Sequence, residues 1–91
     1  MIATLSLDGE RQTLAKAEQD IAEGERRITC QAELIERLRR GGHDLAAAEA
    51  LLDTLRQTLA AWHGHRDVIL RTIERLEGDQ RGAPLAGPAA T

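Results

Sequence analysis

The chain has 91 residues, a net charge of −3, 42% apolar residues and 1% aromatic residues, with Trp62 unaccompanied by any Phe or Tyr. That length holds one domain at most, and a monomer of this size buries only a modest core. A mixture of Leu, Ile, Ala, Glu and Arg suits long helices or coiled coils and gives a sheet little to build from, while mixed charge of low net value argues against a nucleic-acid face and a polybasic membrane anchor.

Met1 to Leu7 reads as a short N-terminal lead-in (1–7). It has no basic segment followed by an apolar run, and nothing in the chain approaches the ~20 apolar residues that span a bilayer. The expectation is a cytoplasmic protein without a signal peptide, binding no membrane and no nucleic acid. Ser6 or Asp8 then suits a helix N-cap, because a side-chain oxygen there accepts an otherwise unpaired backbone N–H.

The first helix is expected over about 8–40. Asp8 and Glu10 place negative charge on the positive end of its dipole, and Arg37, Arg39 and Arg40 place positive charge on the other end. Apolar residues return every seven positions at Leu14, Ile21, Ile28 and Ile35. Three residues beyond each stand Ala17, Gly24, Gln31 and Leu38, so this heptad has one strong row and one small or polar row. Gly24 costs about 1 kcal/mol against Ala in a helix interior; close approach of another helix is the structural reason for it.

Gly41-Gly42-His43-Asp44 breaks the pattern. A Gly just past a helix end can take the left-handed conformation that closes the last turn, and Asp44 suits the N-cap of a second helix. The turn is read as 41–43 and the second helix as about 44–77. One row of that helix is Leu45, Leu52, Leu59, Arg66 and Ile73, and the other is Ala48, Leu55, Trp62, Ile69 and Leu76. Leu51 and Leu70 widen the face. The helix is expected to fade near Gly78, leaving 78–91, with Pro84 and Pro88, as a flexible tail.

So short a break joins antiparallel helices, and 8–77 forms the hairpin. Folding at Gly42 sets Ile35 near Ala48, Ile28 near Leu55, Ile21 near Trp62 and Leu14 near Ile69. The expected seam is therefore Leu14, Ile21, Ile28, Ile35, Leu52, Leu55, Leu59, Trp62, Ile69 and Ile73. Arg66 interrupts it opposite Ala17, with Glu18 and Asp20 as the nearest acidic partners. The fold class is all-α: an antiparallel two-helix coiled-coil hairpin.

Two helices give each other one packed flank only. Leu34, Leu51, Leu70 and much of Trp62 stay wet in a single hairpin, so these four are the expected interface. Pairing two hairpins into a four-helix bundle, as a two-fold homodimer, buries them most simply; another protein's helix fits the same groove.

Candidate chemistry is sparse. His63 and Asp67 are four residues apart and share a helix face, whereas His65 points elsewhere. Two ligands are too few for a structural zinc site, and a solvated surface pair accounts for them. Cys30 has Arg26 and Arg27 within a turn, the setting that lowers a thiol pKa, but it also reads as a small filler at the edge of the seam. Glu33–Arg37 and Glu36–Arg40 have the spacing of solvated helix-surface ion pairs. No phosphate loop, Cys-His arrangement or HExxH occurs, and a thin hairpin offers carboxylates no concave pocket. No enzyme activity, metal or cofactor is expected.

The run from Ile21 through Arg27 to Ile28, then Leu34 to Leu38, Gly42 to Asp44, Ala48 to Leu52 and His65 to Asp67 resembles a group of short uncharacterised helical-hairpin (coiled-coil) proteins of alphaproteobacteria. The resemblance covers roughly Leu14 to Leu76. It implies a bacterial cytoplasmic hairpin and no activity, cofactor or catalytic residue. The function expected is a non-enzymatic structural or protein-interaction module acting through self-association. The alternative is a small regulator whose hairpin binds transcription or signalling machinery, although its tip offers only Asp44, beside His43, and is flanked by Arg39 and Arg40.

Overall fold

Ser6 starts the first helix. In the computed structural model, which describes residues 6–86 with side chains through Arg81, its hydroxyl accepts the Gly9 N–H at 3.0 Å and its carbonyl accepts the Glu10 N–H at 2.9 Å. The first bond satisfies a donor that a helix start otherwise leaves unpaired, and the second is the first regular bond of the helix. Ser6 is thus the N-cap, and Asp8 lies in the first turn with Glu10. The lead-in through Leu5 and the tail from Gly87 lie outside the described residues.

Helix α1 runs Leu7–Arg40 and helix α2 runs Ala46–Ala86, with no strand among the described residues. The end of α1 is a Schellman closure. The His43 N–H bonds the Leu38 carbonyl at 2.9 Å and the Gly42 N–H bonds that of Arg39 at 3.1 Å. This geometry needs a left-handed residue, and Gly42 supplies it at φ 76°. A side chain at that φ costs about 1–2 kcal/mol, so Gly42→Ala is expected to lower stability by that amount in urea unfolding. An unchanged midpoint would show that the turn is not held in this form.

Asp44 acts one step earlier than an N-cap. Its Oδ1 accepts the Ala46 N–H at 3.0 Å, while the Leu45 carbonyl accepts the Glu49 N–H at 2.9 Å and opens the helix. α2 therefore starts at Ala46, two residues after the expected position, and the connection is correspondingly longer.

α2 also continues past Gly78 to Ala86, where the sequence pattern suggested an end. A Gly in a helix interior costs about 1 kcal/mol, too little to stop a helix whose neighbouring turn is anchored. Here Glu77 is tied to Arg11 of α1 at 2.9 Å.

Contacts between the helices show that α2 returns along α1. Gln31 Nε2 donates to the Ala48 carbonyl at 2.9 Å, Arg66 reaches Glu18 at 3.1 Å, and Arg11 reaches Glu77. Gln31 thereby turns a polar seam position into a link between the helices. The result is a rod of 76 × 29 × 15 Å with a radius of gyration of 21.1 Å, against about 12 Å for a compact chain of this length.

The core is a single line of side chains. Ala17, Ile21, Ile35, Leu52, Ile69 and Ile73 are buried, and Leu7 and Leu14 pack against the Ala17–Ile69–Ile73 cluster. Leu14, Ile28, Leu55, Leu59 and Trp62 are only half-buried. A Cβ added at Gly24 would stand 3.3 Å from Leu59 Cδ1, so this glycine does mark a close approach between the helices. At Gly64 and Gly78 an added Cβ meets nothing within 4 Å. Gly64→Ala is therefore expected to stabilise the hairpin by about 1 kcal/mol. That gain raises the thermal midpoint by about 4–8 °C in a domain of this size; a lower midpoint in a calorimetric scan would refute it.

Candidate interaction surface

The antiparallel arrangement sets equivalent flanking positions of the two heptads side by side, Leu34 with Leu51 and Arg27 with Thr58. An open groove follows these positions along one flank. Toward the turn it is lined by Leu34, Leu51 and Leu55 together with Arg26, Arg27 and Arg37. It continues past Asp20, Glu23, Gly24, Leu59 and Trp62, and then past Thr58, Ala61 and His65. Glu23, Arg27 and Leu55 belong to the first two stretches, and Thr58 and Trp62 to the last two. The lining is thus basic near the turn and acidic farther along.

Of the four residues expected at the interface, Leu34, Leu51 and Trp62 share this groove. Leu51 is 48% exposed, and Leu34 and Trp62 are half-buried. Leu70 is half-buried as well, but it is 19 residues from Leu51, nearly half a turn around a helix of heptad repeat. It therefore flanks the seam on the other side, and no single flat contact covers all four. Val68, absent from the expected set, is 52% exposed. Its signal was spacing: it falls on a row of α2 that neither seam heptad includes.

The remaining candidates do not form a cluster of their own. His63, His65 and Asp67 are exposed. The His65 ring stands edge-on to Trp62 at 5.6 Å and 67°, which orients the indole at the groove. Cys30 is an exposed free thiol lining the groove beside Arg26. Among the described residues no three His, Cys, Asp or Glu side chains are grouped to hold a metal ion, and no helix is long and apolar enough to cross a membrane.

Arg66 donates from Nε and Nη2 to Glu18 Oε2 at 3.3 and 3.1 Å. Asp20, the other acidic residue nearby, is taken by Lys16 at 2.6 Å. Glu23 pairs with Arg27 at 3.6 Å, and Glu36 with Arg39 at 3.3 Å, where the four-residue spacing had suggested Arg40. Solvent-exposed pairs of this kind contribute about 0–1 kcal/mol each, so they adjust the register while the apolar line holds the helices together. Chemically, the groove can accept an apolar helix face. No family model, curated protein or solved structure matches the chain, so the geometry alone carries the functional reading.

Proposed function

We propose that this protein is a non-enzymatic interaction module that acts by self-association, with two hairpins completing each other's core as a four-helix bundle. One observation carries this reading: the intramolecular seam leaves Leu51 and Val68 about half exposed and Leu34 and Trp62 along an open groove. A lone hairpin leaves these side chains without cover on that flank, and a second pair of helices supplies it.

Sedimentation equilibrium at micromolar concentration tests the proposal. The expected species has about twice the 10.0 kDa mass of the chain. A clean monomer would overturn it, and a monomer that forms a stoichiometric complex with a larger protein would favour the regulator alternative.

A further inference from the structure

Along α2, outside the seam with α1, runs a second heptad row. From Leu51, alternate steps of three and four residues reach Thr54, Thr58, Ala61, His65 and Val68. That spacing keeps them on one helix face. All six are exposed, and they include both of the exposed large apolar side chains, Leu51 and Val68. None is an acid or a basic Lys or Arg, in a chain whose residues are 30% charged. Ala47 and Thr72 extend the row without charge at its two ends. The outward rows of α1 differ: Lys16, Glu23 and Arg37 occupy one, and Arg26, Glu33 and Arg40 the next.

Two of the row's three threonine hydroxyls are already bonded within the helix. Thr54 donates its hydroxyl to the Ala50 carbonyl at 3.2 Å, and Thr72 donates to that of Val68 at 3.0 Å. These donors are satisfied within the helix, so covering them avoids the penalty of an unpaired buried hydroxyl. The small residues at Thr58 and Ala61 let a second helix come close.

The geometry points to a second copy of this chain as the occupant, with the two α2 helices packed antiparallel about a two-fold axis between Thr58 and Ala61. This inference rests on the self-association reading and names its surface. In that register Leu51 meets the partner's Val68, so the two exposed apolar residues cover each other. Thr54 meets the partner's His65, and Thr58 meets the partner's Ala61. Arg75 is the next position of the row, and Asp44 stands in the turn just before α2 begins at Ala46. The antiparallel register brings the partner's Arg75 to the turn that carries Asp44 at both ends, where the charges are opposite. A parallel pairing would instead bring the two Arg75 side chains together, which repel. The second copy also lies along the groove where Thr58, Ala61 and His65 meet Trp62. Covering about a tenth of the 6653 Å² surface of each copy reaches the range of stable interfaces, about 1,200–2,000 Å² in total.

Two variants of the full chain test this. Ala61→Glu places a charge at the centre of the row on an exposed helix position. It is expected to raise the dissociation constant tenfold or more in sedimentation equilibrium while the helical circular dichroism stays unchanged; Ala61→Ser should retain the dimer. In a Cys30→Ser background, chains carrying Leu51→Cys and chains carrying Val68→Cys are oxidised each alone and, in a third sample, after mixing. A cross-linked dimer is expected from the mixture and from neither chain alone. A wild-type monomer would overturn self-association itself. A dimer that survives Ala61→Glu would leave self-association standing and remove this face from it. Cross-linking of the Leu51→Cys chain with itself would overturn the antiparallel register.

Discussion

Replacing Ile69 with Ala is expected to cost about 2–5 kcal/mol, the range for truncating a large buried aliphatic side chain. Ile69 is 4% exposed and packs with Ala17 and Ile73 at the end of the hairpin away from the turn. The loss combines the transfer of three carbons back to water with the cavity left between two long helices. A rod with one line of core residues has no second layer to collapse into that gap. Since small domains are stable by only about 5–15 kcal/mol, the variant should lose a large share of its helical signal under mild denaturant. Urea unfolding followed by circular dichroism, at one fixed protein concentration, measures the effect. Gln57→Ala, at an exposed position of the same helix, should change stability by less than about 0.5 kcal/mol. A loss below about 1 kcal/mol for Ile69→Ala would mean that the seam does not pass through it.

Ala17→Leu should destabilise the protein by overfilling, by about 1–3 kcal/mol. Ala17 is 1% exposed, less than any other side chain of the core. It is small because Ile69 and Ile73 from α2 occupy the space that a longer side chain would need. A Leu there forces the helices apart next to the Glu18–Arg66 ion pair, whose own contribution of about 0–1 kcal/mol cannot offset the strain. Ala15→Leu, two residues earlier and exposed, controls for the change of residue type and should stay within about 0.5 kcal/mol. Thermal unfolding of the two variants side by side decides the matter: equal midpoints would show that α1 and α2 are not in close contact at Ala17.

These two residues also show how far the heptad alone can be read. Ile69 belongs to a strong apolar row, so its place on the seam is visible in the spacing. Ala17 belongs to a weak row of Ala, Gly, Gln and Leu, and nothing in that row marks it as the most buried point of the core. Burial there depends on how closely Ile69 and Ile73 approach from the other helix. Gly24 lies between these cases. Its cost within a helix suggested a close neighbour, and only the structure named Leu59 as that neighbour.

The flanks were less legible. Leu34, Leu51, Trp62 and Leu70 all stand beside the seam, but a list of flanking residues does not say which side each takes. Over the 19 residues from Leu51 to Leu70 the phase advances by nearly half a turn, and this divides the set. Val68 was missed because it lies on neither seam row. Its significance comes from its exposure and from the uncharged positions spaced along the same face.

Local chemistry in the sequence determined the two helices, the Gly-Gly turn, a cap at Ser6 or Asp8, the charges at the ends of α1 and the phase of both apolar rows. Each of these depends on residues within a few positions of one another, where side-chain size, backbone freedom and helix periodicity act directly. Long-range geometry decided the rest: the burial of Ala17 and the choice of Glu18 over Asp20 for Arg66. Each is settled by the distance between side chains on different helices, a distance that exists only once the chain has turned back on itself at Gly42.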